Sequence, residues 1–149
     1  MRFPGRVVGL DLGSRRIGVA VSDTGQSVAT GVKALQRGSD RTVDHGAIRA
    51  IVDEYQAVGV VAGLPLSLSG GTGPAARMVL EEVAQLRVAL GVEVDTVDER
   101  LTTIAASGAL RAAGRSSRRQ KPVVDQTAAA ILLQTWIDRQ TNLRGMTVD

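Results

Sequence analysis

The stretch Val7–Asp23, VVGLDLGSRRIGVAVSD, constrains the fold of this chain more than any other. An apolar run through Val7, Val8 and Leu10 is broken by an acid at Asp11. Gly13 then allows a tight turn, two arginines follow, and a second apolar run climbs through Ile17, Val19 and Val21. Two such runs around a short glycine-containing turn predict a β-hairpin. Its first strand carries a carboxylate where buried strands normally carry none. An ionised acid on a strand's inner face is costly unless it is paired or holds a metal. Asp11 therefore needs partners, and the rest of the chain must supply them.

Beyond the hairpin, Ser27–Leu35 predicts a third strand interrupted at Gly31, so the first three strands form an antiparallel meander. Asp40 is placed to cap a helix running to about Tyr55, with Val43, Ala47, Ile51 and Tyr55 along one face. Val58–Leu64 is a continuous apolar run that fits a strand buried on both faces. A Ser- and Gly-rich loop, Pro65–Gly73, leads to a second helix begun near Pro74 and ended by Gly91. Along it Ala76, Val79, Val83, Leu86 and Leu90 recur every three or four residues. Val92–Val97 predicts the last strand, closing on Asp98, Glu99 and Arg100. A short helix from Thr102 or Thr103 to Ala113 and a polar segment Arg115–Lys121 follow. A final helix runs from near Pro122 to about Arg139, with Val124, Ala128, Ile131 and Thr135 on one face and a frayed tail after Thr141. The order β-β-β-α-β-α-β-α-α, with no repeat and no dividing linker, predicts one α/β domain over residues 1–149. A mixed five-stranded sheet with helices on both faces is similar to the RNase H-like fold.

Composition narrows the function. Phe3, Tyr55 and Trp136 are the whole aromatic supply, too few for a platform on which single-stranded bases stack. The absence of cysteine excludes disulfides and thiolate metal sites and suits a reducing cytoplasm. The opening MRFPGR lacks the apolar centre of a signal peptide, and no run approaches the ~18 apolar residues of a membrane helix. Net charge is only +3, yet Arg100, Arg111, Arg115, Arg118, Arg119 and Lys121 fall in one stretch that holds no acid. The remainder of the chain is net acidic, so this local basicity predicts a docking surface for a polyanion.

Four acids could carry chemistry. Asp11 lies in the first strand, Asp98 and Glu99 close the fifth, and Asp125 falls in the first turn of the last helix. If the first strand is central and the last helix packs on it, acids from distant parts of the sequence converge at one edge of the sheet. Adjacent strand residues point to opposite faces, so only one of Asp98 and Glu99 is expected there, with Asp98 in reserve. Such a cluster repels itself unless cations sit in it. Oxygen-only ligation favours Mg²⁺ or Mn²⁺, and two such ions clamp the attacking and leaving oxygens of a phosphodiester. Arg16 either pairs with Asp23 across the hairpin or reaches a phosphate, and Arg100 either holds Glu99 or touches phosphate. Asp98 has a bland alternative, pairing with an arginine or capping the next helix. His45 and Trp136 read as surface or packing residues, and Thr102 and Thr103 as caps. An Asp-x-Gly turn also opens the nucleotide-binding lobes of actin and the sugar kinases, but those need two lobes.

The stretch Asp11-Leu-Gly13-Ser-Arg-Arg16-Ile-Gly18-Val-Ala20-Val-Ser22-Asp23 resembles the opening motif of the YqgF/RuvX family of nucleases. Val61-Ala-Gly63-Leu-Pro65 with the Gly70–Pro74 loop is similar to its second motif, and Asp98-Glu99-Arg100-Leu-Thr102-Thr103 to its third. Lys121-Pro-Val-Val-Asp125-Gln-Thr-Ala128-Ala129 is similar to the fourth. The four span nearly the whole chain in order. The resemblance implies an RNase H-like, divalent-metal-dependent endonuclease with Asp11, Glu99 and Asp125 as metal-binding acids. It implies maturation of the 5′ end of pre-16S ribosomal RNA, or, as in some members, cleavage of Holliday junctions, which would require a homodimer with sites facing opposite strands. A non-catalytic RNA-binding factor that keeps the acids as a structural metal site is the remaining alternative.

Overall fold

A computed structural model describes residues 4–102 and 121–146. Its elements are β1 (Val7–Leu12), β2 (Arg16–Ser22), β3 (Ala29–Gln36), α1 (Arg41–Glu54), β4 (Gly59–Leu64), α2 (Pro74–Leu90), β5 (Glu93–Asp98) and α3 (Lys121–Met146), with a 3₁₀ turn at Glu99–Leu101. The five strands form one sheet in the order β3-β2-β1-β4-β5. The first three are the antiparallel meander, while β4 pairs parallel with β1 and β5 parallel with β4. β1 is thus the central strand, as its apolar run requires. The mixed sheet expected from the pattern is the one observed.

Each face of the sheet has its own core. On one, Val8, Leu10, Ile17, Val19 and Val60 pack against Ile48, Ile51 and Val52 of α1 and Val83, Leu86 and Leu90 of α2. On the other, Val7, Ala20, Val61 and Val97 receive Ala129, Leu132, Leu133, Trp136 and Ile137 of α3. Each large side chain buried this way contributes about 1.5–3 kcal/mol, which is why α3 seats firmly on the sheet. Its approach depends on a missing side chain. A Cβ on Gly18 of β2 would collide with the backbone carbonyl oxygen of Asp125. Gly31 of β3 likewise gives clearance to the Gln126 carbonyl, so two glycines let the start of α3 lie low on the sheet.

Local rules place the elements well and the buried faces less well. Asp40 caps α1 by accepting from the Val43 N–H, and Gly91 ends α2 in the left-handed conformation at φ 66°. The inner face of α1, however, is Asp44, His45, Ile48, Ile51 and Val52, while Val43 is 54% exposed. Two polar residues are drawn inward there by a buried ion-pair network. On α3 the inner face is Ala129, Leu132, Leu133, Trp136 and Ile137, and Ala128, Ile131 and Thr135 are only half-buried. The larger side chains at that spacing bury more apolar area and decide the rotation of the helix. α3 also continues to Met146, past the expected fraying point. The short helix expected over 103–113 and most of the basic segment, 115–120, lie outside the described residues. Among those described, no helix is long and apolar enough to cross a membrane.

Candidate active site

Asp11 is the second-last residue of β1 and pairs across the hairpin with Gly18. Because α3 rests on Gly18, the same glycine that faces Asp11 in the ladder also brings Asp125 beside it. Burial pushes the Asp11 carboxyl up from its ordinary value, and the charge of Asp125 pushes it further. Glu99 opens the 3₁₀ turn after β5. It lies over Gly63 of β4, where a Cβ would stand 2.8 Å from Glu99 Oε1. Burial raises Glu99 first, and the charges of Asp11 and Asp98 add to it. Asp11 is therefore the electrostatic neighbour of both Asp125 and Glu99. Among the described residues, no three acids stand close enough to form a ready-made ion cage.

Asp98 is engaged elsewhere. The Arg100 guanidinium donates to it from Nε at 3.0 and 2.9 Å and from Nη2 at 2.6 Å. Asp98 Oδ1 also accepts the Arg100 N–H, capping the turn. These bonds hold its carboxyl below the usual range, the side-chain bond from Arg100 contributing most. Arg100 thus grips Asp98 rather than Glu99, and its Nη1 leans toward the Leu68 carbonyl at 3.4 Å. The Thr102 hydroxyl donates to the Glu99 carbonyl at 2.8 Å and closes the turn that carries Glu99.

Arg16 does not pair with Asp23. Its Nε donates to Asp125 Oδ2 at 2.6 Å, linking the start of β2 to α3. Asp23 instead accepts from the Ser27 hydroxyl and from the Ser27 and Val28 N–H groups, organising the next turn. Arg111, Arg115, Arg118, Arg119 and the Lys121 side chain lie outside the described residues.

One part of the site was not foreseen. Arg37 donates from Nη1 and Nη2 to the two Glu82 oxygens at 2.7 and 2.9 Å, and from Nη1 to Asp44 at 3.1 Å. Its Nε donates to the Gly13 carbonyl at 3.0 Å, and its backbone N–H to the Arg15 carbonyl. His45 Nε2 completes the network 2.9 Å from Glu82. Burial alone would raise Glu82, but the bonds from Arg37 and His45 prevail and hold it low. This network grips the turn that separates Asp11 from Arg16. Its sequence signal was Glu82, which falls between Val79 and Leu86 on the apolar side of α2.

Asp11, Glu99 and Asp125 offer oxygen donors only. The burial and mutual repulsion that raise Asp11 and Glu99 are what a hard divalent cation relieves, so the donor set fits such an ion.

A central strand bearing an acid, flanked by a meander and by parallel strands, defines an RNase H-like α/β protein. The solved structure of Thermus thermophilus RuvC in complex with Holliday junction substrate has this fold: TM-score 0.53 at 17% identity, over 92% of this chain and 96% of that one. A family model described as "RuvX: Holliday junction resolvase" matches residues 5–139, and the chain belongs to that family. A Rhodococcus opacus relative named "Putative pre-16S rRNA nuclease" is 45% identical, over 92% of this chain and 79% of its own length. Relatives of the same name from Anaeromyxobacter and Clostridioides difficile are 42% and 38% identical over 91% and 93% of this chain.

Proposed function

We propose that this protein is a divalent-metal-dependent endonuclease that cuts structured nucleic acid, with the 5′ end of precursor 16S ribosomal RNA as its substrate in the cytoplasm. The observation that carries the reading is the position of Asp11, on the central strand with Asp125 and Glu99 as its charged neighbours. Asp11, Glu99 and Asp125 would hold Mg²⁺ or Mn²⁺. The metal supplies Lewis acidity, lowering the pKa of water and balancing the charge that grows on the phosphate in an in-line displacement. The protein's own part is to hold the acids. β1 fixes Asp11, the 3₁₀ turn closed by Thr102 fixes Glu99, and α3 lowered onto Gly18 fixes Asp125. Asp98, gripped by Arg100, is left out of the proposed set. The basic residues Arg111, Arg115, Arg118, Arg119 and Lys121 would track the phosphate backbone.

The relatives named for pre-16S rRNA support the choice of RNA. The description of the matching family supports a second reading, a Holliday junction resolvase. That reading needs two active sites facing opposite strands, hence a two-fold dimer. The two readings separate in one assay: a pre-16S fragment and a four-way DNA junction are offered to the protein in parallel, with its mass in solution measured. A monomer that cuts the RNA and spares the junction supports the first reading. A dimer that cuts the junction symmetrically replaces it with the second.

A further inference from the structure

Among the described residues, Arg37, Arg100 and Arg16 are held in different ways. Arg37 is forked onto Glu82 by two nitrogens and bonded to Gly13 by a third. Arg100 grips both oxygens of Asp98. Arg16 is held by Nε alone, at 2.6 Å from Asp125 Oδ2, and among the described residues its two terminal nitrogens have no second acceptor. Both partners of this pair are partly open to solvent, at 24% side-chain exposure each. A guanidinium tied by one bond at a solvent-reached edge can leave without disturbing packing. Its unused fork is the geometry that recognises phosphate oxygens.

Asp125 opens the part of α3 that rests on Gly18, the residue paired with Asp11 across the β1–β2 ladder, so the Arg16 pair sits on the Asp11 side of the sheet. A guanidinium and a divalent cation sharing one carboxylate repel each other about twice as strongly as the guanidinium and the carboxylate attract at equal distance. The two cations therefore compete. We propose that Arg16 is the exchangeable counter-ion of Asp125: a divalent cation entering among the acids displaces the guanidinium, which then takes a phosphate of the nucleic acid. Without metal, Arg16 bonds to Asp125 across the contact between β2 and α3. With metal, the same side chain becomes a substrate contact. Metal and nucleic acid then bind cooperatively, each favouring the arrangement the other needs, and linkage makes that favour reciprocal.

The inference rests on Asp125 being a metal ligand, and one set of measurements tells the two apart. The full-length protein, Arg16→Ala, Arg16→Gln and Asp125→Asn are titrated with MnCl₂ in a calorimeter, after melts establish that each is folded. Arg16→Gln keeps a hydrogen-bonding side chain without the charge, and serves if Arg16→Ala does not fold. Loss of the competing cation is expected to tighten Mn²⁺ binding about fivefold or more, while Asp125→Asn weakens it. Equal or weaker binding by the Arg16 variants, with Asp125→Asn still weakened, overturns the exchange and leaves Asp125 as a ligand. Unchanged binding by Asp125→Asn removes Asp125 from the metal site and overturns both. A second arm uses fluorescence anisotropy of a labelled RNA hairpin in chelator. Arg16→Ala is expected to bind it as the wild type does, because Asp125 still holds Arg16. A several-fold loss in chelator would place Arg16 on phosphate before any metal arrives, and would overturn the exchange.

Discussion

At the scale of single residues, Asp11 and Glu99 are held where burial and neighbouring acids disfavour their ionised forms. Burial and the charge of Asp125 raise the pKa of Asp11, and burial with the charges of Asp11 and Asp98 raises that of Glu99. An acid raised in the folded chain favours the fold while protonated and opposes it once ionised. Its contribution is complete below the ordinary carboxylate pKa, about 3.9 for Asp, and is lost as pH rises through the raised folded value. Asp11→Asn removes that ionisation. In chelator at pH 7 the variant is expected to melt at the same temperature as the wild type or higher. The difference should shrink as pH falls through the raised folded value and be gone below about 4. A lower melting temperature at pH 7 would contradict the electrostatic account of Asp11.

At the scale of elements, the structure depends on how closely α3 approaches the sheet and on how the β1–β2 turn is clamped. In Gly18→Ala the new methyl meets the Asp125 carbonyl, so the helix start must rise or shift. The cost is expected to be about 1–3 kcal/mol, as for other overpacked interiors, read by urea denaturation. Arg37→Met removes the cation forked onto buried Glu82 and bonded to Asp44, leaving Glu82 with His45 and with Arg41 at 3.9 Å, and costs about 3 kcal/mol. Glu82 is held low by Arg37 and His45, so its stabilising effect is full above the ordinary Glu pKa of about 4.3 and is lost as pH falls through the lower folded value. Glu82→Gln should flatten that loss on the acid side of the stability profile. An unaltered acid limb would remove Glu82 from the network's energetics. The same elements explain what was legible beforehand. α2 was readable because its period, its opening proline and its closing glycine agree. The faces of α1 and α3 were not. On α1 an ion-pair network turned Asp44 and His45 inward against hydropathy. On α3 two apolar stripes compete, and the volume of Leu132, Leu133, Trp136 and Ile137 decides between them.

At the scale of the molecule, the antiparallel meander and the mixed five-stranded sheet were accessible from strand patterning, while the order β3-β2-β1-β4-β5 came from the fold. The placing of Asp125 and Glu99 as the two charged neighbours of Asp11 was not accessible from spacing alone. Residues some 90 and 110 positions apart were connected by family motifs, and the means of their approach, bare backbone at Gly18 and Gly63, emerged only from the fold. Most of the basic segment, 115–120, lies outside the described residues, and the phosphate-tracking role proposed for it rests on its charge. Arg118→Ala with Arg119→Ala should weaken nucleic-acid binding and reduce the log–log salt slope by roughly 1.5–2. An unchanged slope would exclude that segment from the contact surface. The central claim, that Asp11 anchors a metal-dependent cleavage site, is tested most directly by the cleavage rate of a pre-16S 5′ fragment in Mg²⁺ or Mn²⁺. The folded Asp11→Asn variant is expected to leave the fragment intact while the wild type cuts it. Full metal-dependent cleavage by a clean preparation of that variant would contradict the account.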